Sequence, residues 1–235
     1  ANTAPSAAGV PAAATVVGAT PTAATPAAGA AVPVSSEKVT ITTDVVKATF
    51  DTKGGDLIRL ELLKFNDAVD PQQNAVLFDQ TAQRVYLAQT GLVTTQPGVS
   101  LPNHFTVMRA LPGERTLADG QKELSISFES PEIGGVQLVK TYTFRRGEYP
   151  VAVKHAVKNN AAAPVSPQLY LQLARDGNPP AGESSFYFTF TGPAMYTDAS
   201  KFKKIEFKDI EKGKADHDKA ADNGWVGMVQ HYFAS

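Results

Sequence analysis

An all-β sandwich is the fold class this sequence predicts, and three observations predict it. From Glu37 onward the apolar residues recur with a period of two, as in Ala48 and Phe50, Leu124, Ile126 and Phe128, or Leu169, Leu171 and Leu173. That period sends alternate side chains to opposite faces of a strand. Turn-forming clusters punctuate the runs at short intervals, as at Asn159-Asn160, Gly177-Asn178-Pro179-Pro180 and Gly192-Pro193. Short strands divided by such signals build sandwiches. Helical spacing is confined to the end of the chain and to one stretch at residues 79–87.

The strands come in order along the chain. Residues 47–52 alternate around Ala48 and Phe50, Lys53-Gly54-Gly55-Asp56 turns the chain, and residues 57–63 return. Two consecutive glycines supply the positive φ that a tight hairpin requires. Leu124, Ile126 and Phe128 alternate with Ser125 and Ser127, the pattern of a strand buried on one face. Val136, Leu138, Tyr142 and Phe144 share one face of a longer strand. Arg145-Arg146-Gly147-Glu148-Tyr149 then turns the chain into Val151, Val153, His155 and Val157. Residues 185–191 carry Phe186, Phe188 and Phe190 on alternate positions. Residues 201–219 are dense in charge of both signs, and Phe202, Ile205, Phe207 and Ile210 fit a strand or irregular edge better than a helix.

The two ends differ from this body. Residues 1–36 contain only Ala, Pro, Thr, Val, Gly, Ser and one Asn. Such a segment buries too little apolar surface to offset its ordering entropy, and its prolines interrupt any helix. It reads as a flexible tether whose ends lie roughly 30 Å apart as a coil. It has neither the basic start nor the unbroken apolar core of a signal peptide, and the natural chain is expected to begin upstream. At the other end Trp225, Met228, Val229, Tyr232 and Phe233 fall at i, i+3, i+4, i+7 and i+8. This spacing predicts a short amphipathic helix over residues 222–235, with Asp222 or Asn223 as its cap. The domain organisation expected is a tether at 1–36, a sandwich at 37–221 and the terminal helix at 222–235.

Composition narrows the function. A net charge of −1 leaves no basic footprint for nucleic acid. No run approaches the ~20 apolar residues of a membrane span. With no cysteine there is no disulfide, thiolate ligand or thiol nucleophile. The sequence lacks a Gly-x-Ser-x-Gly elbow, a His-Glu-x-x-His pair and a phosphate-binding glycine loop. No catalytic residue, cofactor or metal site is therefore expected. His155 is the one histidine that shares a strand face with apolar residues. It is either a general acid, general base or sugar contact in a cleft, or a hydrogen-bonded histidine at the core margin, which is the commoner case. The two strands around residues 140–158 carry basic and aromatic groups at Lys140, Tyr142, Arg145, Arg146, Tyr149 and Lys154. Those residues form a candidate docking surface.

Several motifs, in their order along the chain, resemble the large periplasmic domain of the YidC-type membrane protein insertases of Gram-negative bacteria. They are Thr43-Asp44-Val45, Thr52-Lys53-Gly54-Gly55-Asp56 and Tyr86-Leu87-Ala88-Gln89-Thr90-Gly91-Leu92. Arg146-Gly147-Glu148-Tyr149, Gly192-Pro193-Ala194-Met195-Tyr196 and the terminal Gly224-Trp225-Val226 with Met228, Gln230, Tyr232 and Phe233 complete them. The resemblance implies a large twisted β-sandwich, the supersandwich of galactose mutarotase-like proteins, with helical structure at its C-terminal end. It implies a position between two transmembrane helices of an inner-membrane protein, with residues 1–36 as the tether from the first. Trp225, Met228, Val229, Tyr232 and Phe233 would then couple the domain to the second helix and to the membrane surface. The implied partners are the transmembrane part of the insertase and the Sec translocon with SecD/SecF. Fold analogy leaves two further readings, a carbohydrate-binding or epimerase-like module seeded by His155 and a chaperone-like domain that binds unfolded segments.

Overall fold

The computed structural model describes residues 10–12, 35–180, 182 and 189–235. In chain order the strands begin with β1 (Lys38–Thr42), β2 (Val46–Asp51), β3 (Asp56–Asn66), β4 (Asn74–Gln80) and β5 (Val85–Val93). They continue with β6 (Arg109–Ala110), β7 (Glu123–Glu129), β8 (Val136–Arg145), β9 (Val151–Asn159) and β10 (Gln168–Arg175). The last elements are β11 (Gly192–Thr197), β12 (Lys201–Lys204), the helix α1 (Phe207–Glu211) and β13 (Trp225–Val229). A six-stranded sheet runs β1-β2-β3-β4-β5-β10 and a four-stranded sheet runs β6-β7-β8-β9. A third sheet, β12-β11-β13, stands beside them. All these strand pairings are antiparallel.

The period-two runs form the strands they predict, because each has one face to bury. Ile41, Ala48, Phe50, Leu60 and Leu62 of the larger sheet meet Leu124, Ile126, Phe128, Leu138 and Phe144 of the smaller in one core. Phe50 sits at its centre, with ring centroids 4.7 Å from Tyr142 and 5.3 Å from Phe128. The all-β sandwich expected from the sequence is the architecture present.

Three local expectations are corrected. Residues 79–87 are no helix but the end of β4, a turn and the start of β5, with Gln80 paired to Val85. Val85, Tyr86 and Leu87 are all buried because both faces of β5 are covered, and that produces a run without alternation. Residues 201–204 pair as a strand, but 207–211 close into one turn of helix. The partner β11 begins at Gly192, and among the described residues the pairing of β12 with it ends where the Ile205 N–H donates to the Pro193 carbonyl. The third correction is the terminal helix. Residues 225–229 are a strand on the free edge of β11, in register from Tyr196↔Trp225 to Gly192↔Val229. Gly224 and Gly227 weaken a helix, and the β-branched Val226 and Val229 suit the pleat. The aromatic strand expected at residues 185–191 lies mostly outside the described residues, as does most of the tether.

One polar group ties the sheets together. Lys140 projects from β8 into the core and is fully buried. Its Nζ donates to the carbonyls of Gly54 and Thr90, each at 2.6 Å, and lies 3.4 Å from Asp56 Oδ1. Tyr142 beside it donates to the carbonyl of Gly55 at 2.8 Å. Gln89 donates to the other oxygen of Asp56 at 2.9 Å. The diglycine turn is pressed so close to the second sheet that a Cβ on Gly55 would lie 2.9 Å from that of Phe128. Both turn glycines have positive φ, 76° and 62°. Burial raises the pKa of Asp56 to about 6 against the pull of Lys140, and burial lowers that of Lys140.

Removing the ammonium leaves two carbonyls and a carboxylate buried without their donor. Lys140→Met is expected to destabilise the domain by about 3–5 kcal/mol in urea unfolding. Asp56 gives a pH signature. Between about pH 4 and 6 the folded chain holds a proton that the unfolded chain has lost, so stability from this group falls as pH rises through that window. Its slope is at most about 1.4 kcal/mol per pH unit. Asp56→Asn should flatten that part of the stability profile, read by urea midpoints from pH 4 to 7.

Candidate functional site

The third sheet and the C-terminal residues form one end of the molecule. Gly224 enters β13 at φ 143°, where a Cβ would lie 2.2 Å from the carbonyl oxygen of Tyr196. Only glycine permits that approach, and it brings Trp225 against Tyr196 in a stack with centroids 6.3 Å apart. Phe202 of β12 joins them at 5.9 Å. The apolar stripe seen in the sequence is thus divided between two faces. Met228 is buried and Phe233 packs against the core, meeting Phe65 edge-on at 5.7 Å. Val229 is half-buried. Trp225, Val226 and Tyr232 point outward, 50%, 72% and 76% exposed. The chain then folds back: the Met228 N–H donates to the Ser235 carbonyl at 2.7 Å, and the Ser235 N–H returns the bond at 3.0 Å. The Ser235 side chain also bonds the Tyr86 hydroxyl of β5, which fastens this end to the larger sheet.

Beneath it lies a cleft of about 690 Å³. Leu57, Leu60 and Leu62 of β3 line it, with Ala88 and Thr90 of β5. Val151 and Val153 of β9 face it from the smaller sheet, Leu171 and Leu173 of β10 from the larger, and residues 232–235 close one end. Among the described residues no Asp, Glu, Lys or Arg lines it. Its volume falls in the range of small-ligand sites.

His155 does not line this cleft. It is half-buried, and its Nε2 lies 2.8 Å from Thr90 Oγ1, a bond that joins β9 to β5. Burial, with Lys140 nearby, holds its pKa below the ordinary histidine value. Its position is that of a hydrogen-bonded histidine at the core margin. The candidate docking surface is also redrawn. Lys140 and Tyr142 are buried in the interior, because the inward face of β8 carries them into the core. Arg145, Arg146, Tyr149 and Lys154 remain exposed on the β8–β9 turn and on β9.

A second histidine, absent from the sequence-based candidates, is more deeply held. His104 Nδ1 lies 2.6 Å from the Tyr170 hydroxyl, which accepts from the His104 N–H at 3.1 Å. Nε2 lies 3.1 Å from the carbonyl of Ala12, which can only accept, so Nε2 carries the proton of the neutral ring and the Tyr170 hydroxyl donates its own to Nδ1. Nothing in the loop sequence Pro102-Asn103-His104 signals these partners, which come from 66 and 92 residues away.

The chain matches the family model of the YidC periplasmic domain over residues 38–235. It belongs to that family. A membrane protein insertase YidC from Cupriavidus necator is 54% identical over 226 residues, covering 96% of this chain and 39% of the relative. That from Bordetella parapertussis is 52% identical over 200 residues, covering 85% of this chain and 35% of the relative. That from Janthinobacterium is 51% identical over 203 residues, covering 86% and 35%. The chain spans about a third of the length of these insertases. The family places this YidC domain in the periplasm, on an inner-membrane protein.

Because β13 depends on the close approach at Gly224, Gly224→Ala is expected to release it. The substitution should destabilise the domain by about 1–3 kcal/mol. Amide exchange in residues 225–229 should accelerate while that in β2 and β8 stays slow.

Proposed function

We propose that this YidC periplasmic domain is a non-catalytic interaction and positioning module. In this reading it assists an insertase in inserting and folding inner-membrane proteins, alone or together with the Sec translocon and SecD/SecF. The observation that carries the proposal is the divided C-terminal segment. Met228 and Phe233 lock it to the sandwich while Trp225, Val226 and Tyr232 stay exposed beside it. A rigid body with an outward aromatic end suits the membrane interface, where Trp and Tyr rings sit at headgroup level. The domain thereby sets the position of the next transmembrane part of the longer relatives. The exposed basic turn, with Arg145, Arg146, Tyr149 and Lys154, is the docking surface assigned to a protein partner.

The test is made in the parent insertase. Trp225→Ala with Tyr232→Ala is expected to slow insertion of a membrane-protein substrate several-fold and to cost the domain only about 1 kcal/mol in urea unfolding, because Trp225 loses its stack on Tyr196 while Tyr232 is largely exposed. Insertion at the wild-type rate would refute the positioning role.

A further inference from the structure

We infer that the end of the sandwich around His104 is a docking site for the chain's own leading segment, with Val10, Pro11 and Ala12 as its occupant. This goes beyond the C-terminal positioning role and rests on different residues. The site is one polar donor held in an apolar setting. His104 is 1% exposed, and with Nδ1 taking the proton of Tyr170 its Nε2–H needs an acceptor of its own. Leaving that buried N–H unpaired is costly. The acceptor present is the Ala12 carbonyl, 3.1 Å away and 92 residues earlier in the chain.

The sandwich itself aims the donor. The Tyr170 hydroxyl accepts from the His104 N–H and donates to Nδ1, and Gly91 leaves room for that hydroxyl, which would lie 2.5 Å from an added Cβ. The imidazole rests against Phe105 with ring centroids 4.1 Å apart and meets Tyr170 edge-on at 5.8 Å. The loop that carries it is fixed as well. The Gly54 N–H donates to the Thr106 carbonyl at 2.7 Å, and the Thr106 N–H donates to the Asn103 carbonyl at 3.0 Å. Phe105 is 47% exposed and extends the apolar surface beside the donor.

The leading segment suits this site. Residues 1–36 carry no charged side chain, so main-chain carbonyls are their principal acceptors. Pro11 has a fixed φ and no N–H, which removes a donor that would need its own partner and lowers the entropy lost on docking. Val10 and Pro11 are half-buried. The chain also enters the sandwich at this same end. The Glu37 N–H donates to Thr52 Oγ1 at 2.7 Å, and the Thr52 carbonyl accepts from the Met108 N–H at 2.8 Å, in the loop that holds His104. The consequence is geometric. Gly54, packed on the His104 carbonyl, stands just before β3, whereas Phe65 near the far end of β3 meets Phe233. At about 3.3 Å per residue these two places lie about 30 Å apart. The leading segment is thus held at one end of the domain and the aromatic C-terminal residues at the other.

The sequence has no cysteine, so a nitroxide attached through Ala8→Cys in the full chain reports on the leading segment alone. Paramagnetic broadening of the Gly54, His104, Phe105 and Thr106 amides is expected in NMR spectra, with β13 unaffected. His104→Phe keeps a ring and removes the donor, and it should abolish the broadening; urea unfolding verifies that this variant is folded. Val10→Asp leaves the sandwich sequence intact and should reduce the broadening several-fold, because it puts a charge at a half-buried position. If His104→Phe does not fold, Val10→Asp decides alone. Absence of broadening at those four amides, or equal broadening over the whole domain, would overturn the docking. Broadening that survives unchanged in the folded variants would overturn the seat on His104. Broadening in a mixture of nitroxide-bearing chain with separately isotope-labelled chain would assign the contact to a second copy and overturn docking within one chain. None of these outcomes bears on the Trp225 and Tyr232 test, so the two proposals fail separately.

Discussion

The ammonium of Lys140 is the point on which the two large sheets converge. It rises from the second sheet and takes its acceptors from the first, the carbonyls of Gly54 and Thr90 and the carboxylate of Asp56. A charge in that position is tolerable only because every donor has an acceptor and the counter-charge is itself held by Gln89. The diglycine turn obeys the same requirement. It must approach the second sheet closely enough to offer two carbonyls, to Lys140 and to Tyr142, and any side chain on Gly55 would strike Phe128.

Other close approaches repeat this logic around the molecule. The Asp44 carboxylate accepts from the Gly147 N–H at 3.0 and 3.1 Å, which joins the β1–β2 connection to the β8–β9 turn. Gly91 gives way to Tyr170, whose hydroxyl would lie 2.5 Å from an added Cβ. Gly224 does the same for the carbonyl of Tyr196. Each pairs a turn or strand with a distant one, so the sandwich is pinned by short polar contacts as well as by its apolar core. Where the pins end, beyond the Thr90–His155 bond, the cleft lies between β9 and β10.

This division suits a domain attached to a membrane protein. The pinned body is stiff, and the parts that face outward sit on its margins. These are the aromatic C-terminal end, the basic β8–β9 turn and the apolar cleft. In the proposed positioning role, a YidC periplasmic domain built this way would hold geometry for the rest of an insertase.

The strands and the hairpin are legible in the sequence because their signals are local. Period-two alternation and a Gly-Gly turn are set by neighbours within a few residues, and an exposed or buried face enforces them. The C-terminal segment misleads because the spacing of Trp225, Met228, Val229, Tyr232 and Phe233 fits a helix equally well, and no local rule reveals that β11 has a free edge to offer. Lys140 misleads because its charge suggests a surface group. Its three acceptors lie 50, 84 and 86 residues away, and two of them are backbone carbonyls that no side-chain pattern encodes. Local pattern therefore suffices for the sandwich, its turns and its likeness to a family. Which polar groups are buried, and how the terminal stripe is divided, is settled only in the folded chain, because both depend on contacts between segments that folding alone brings together.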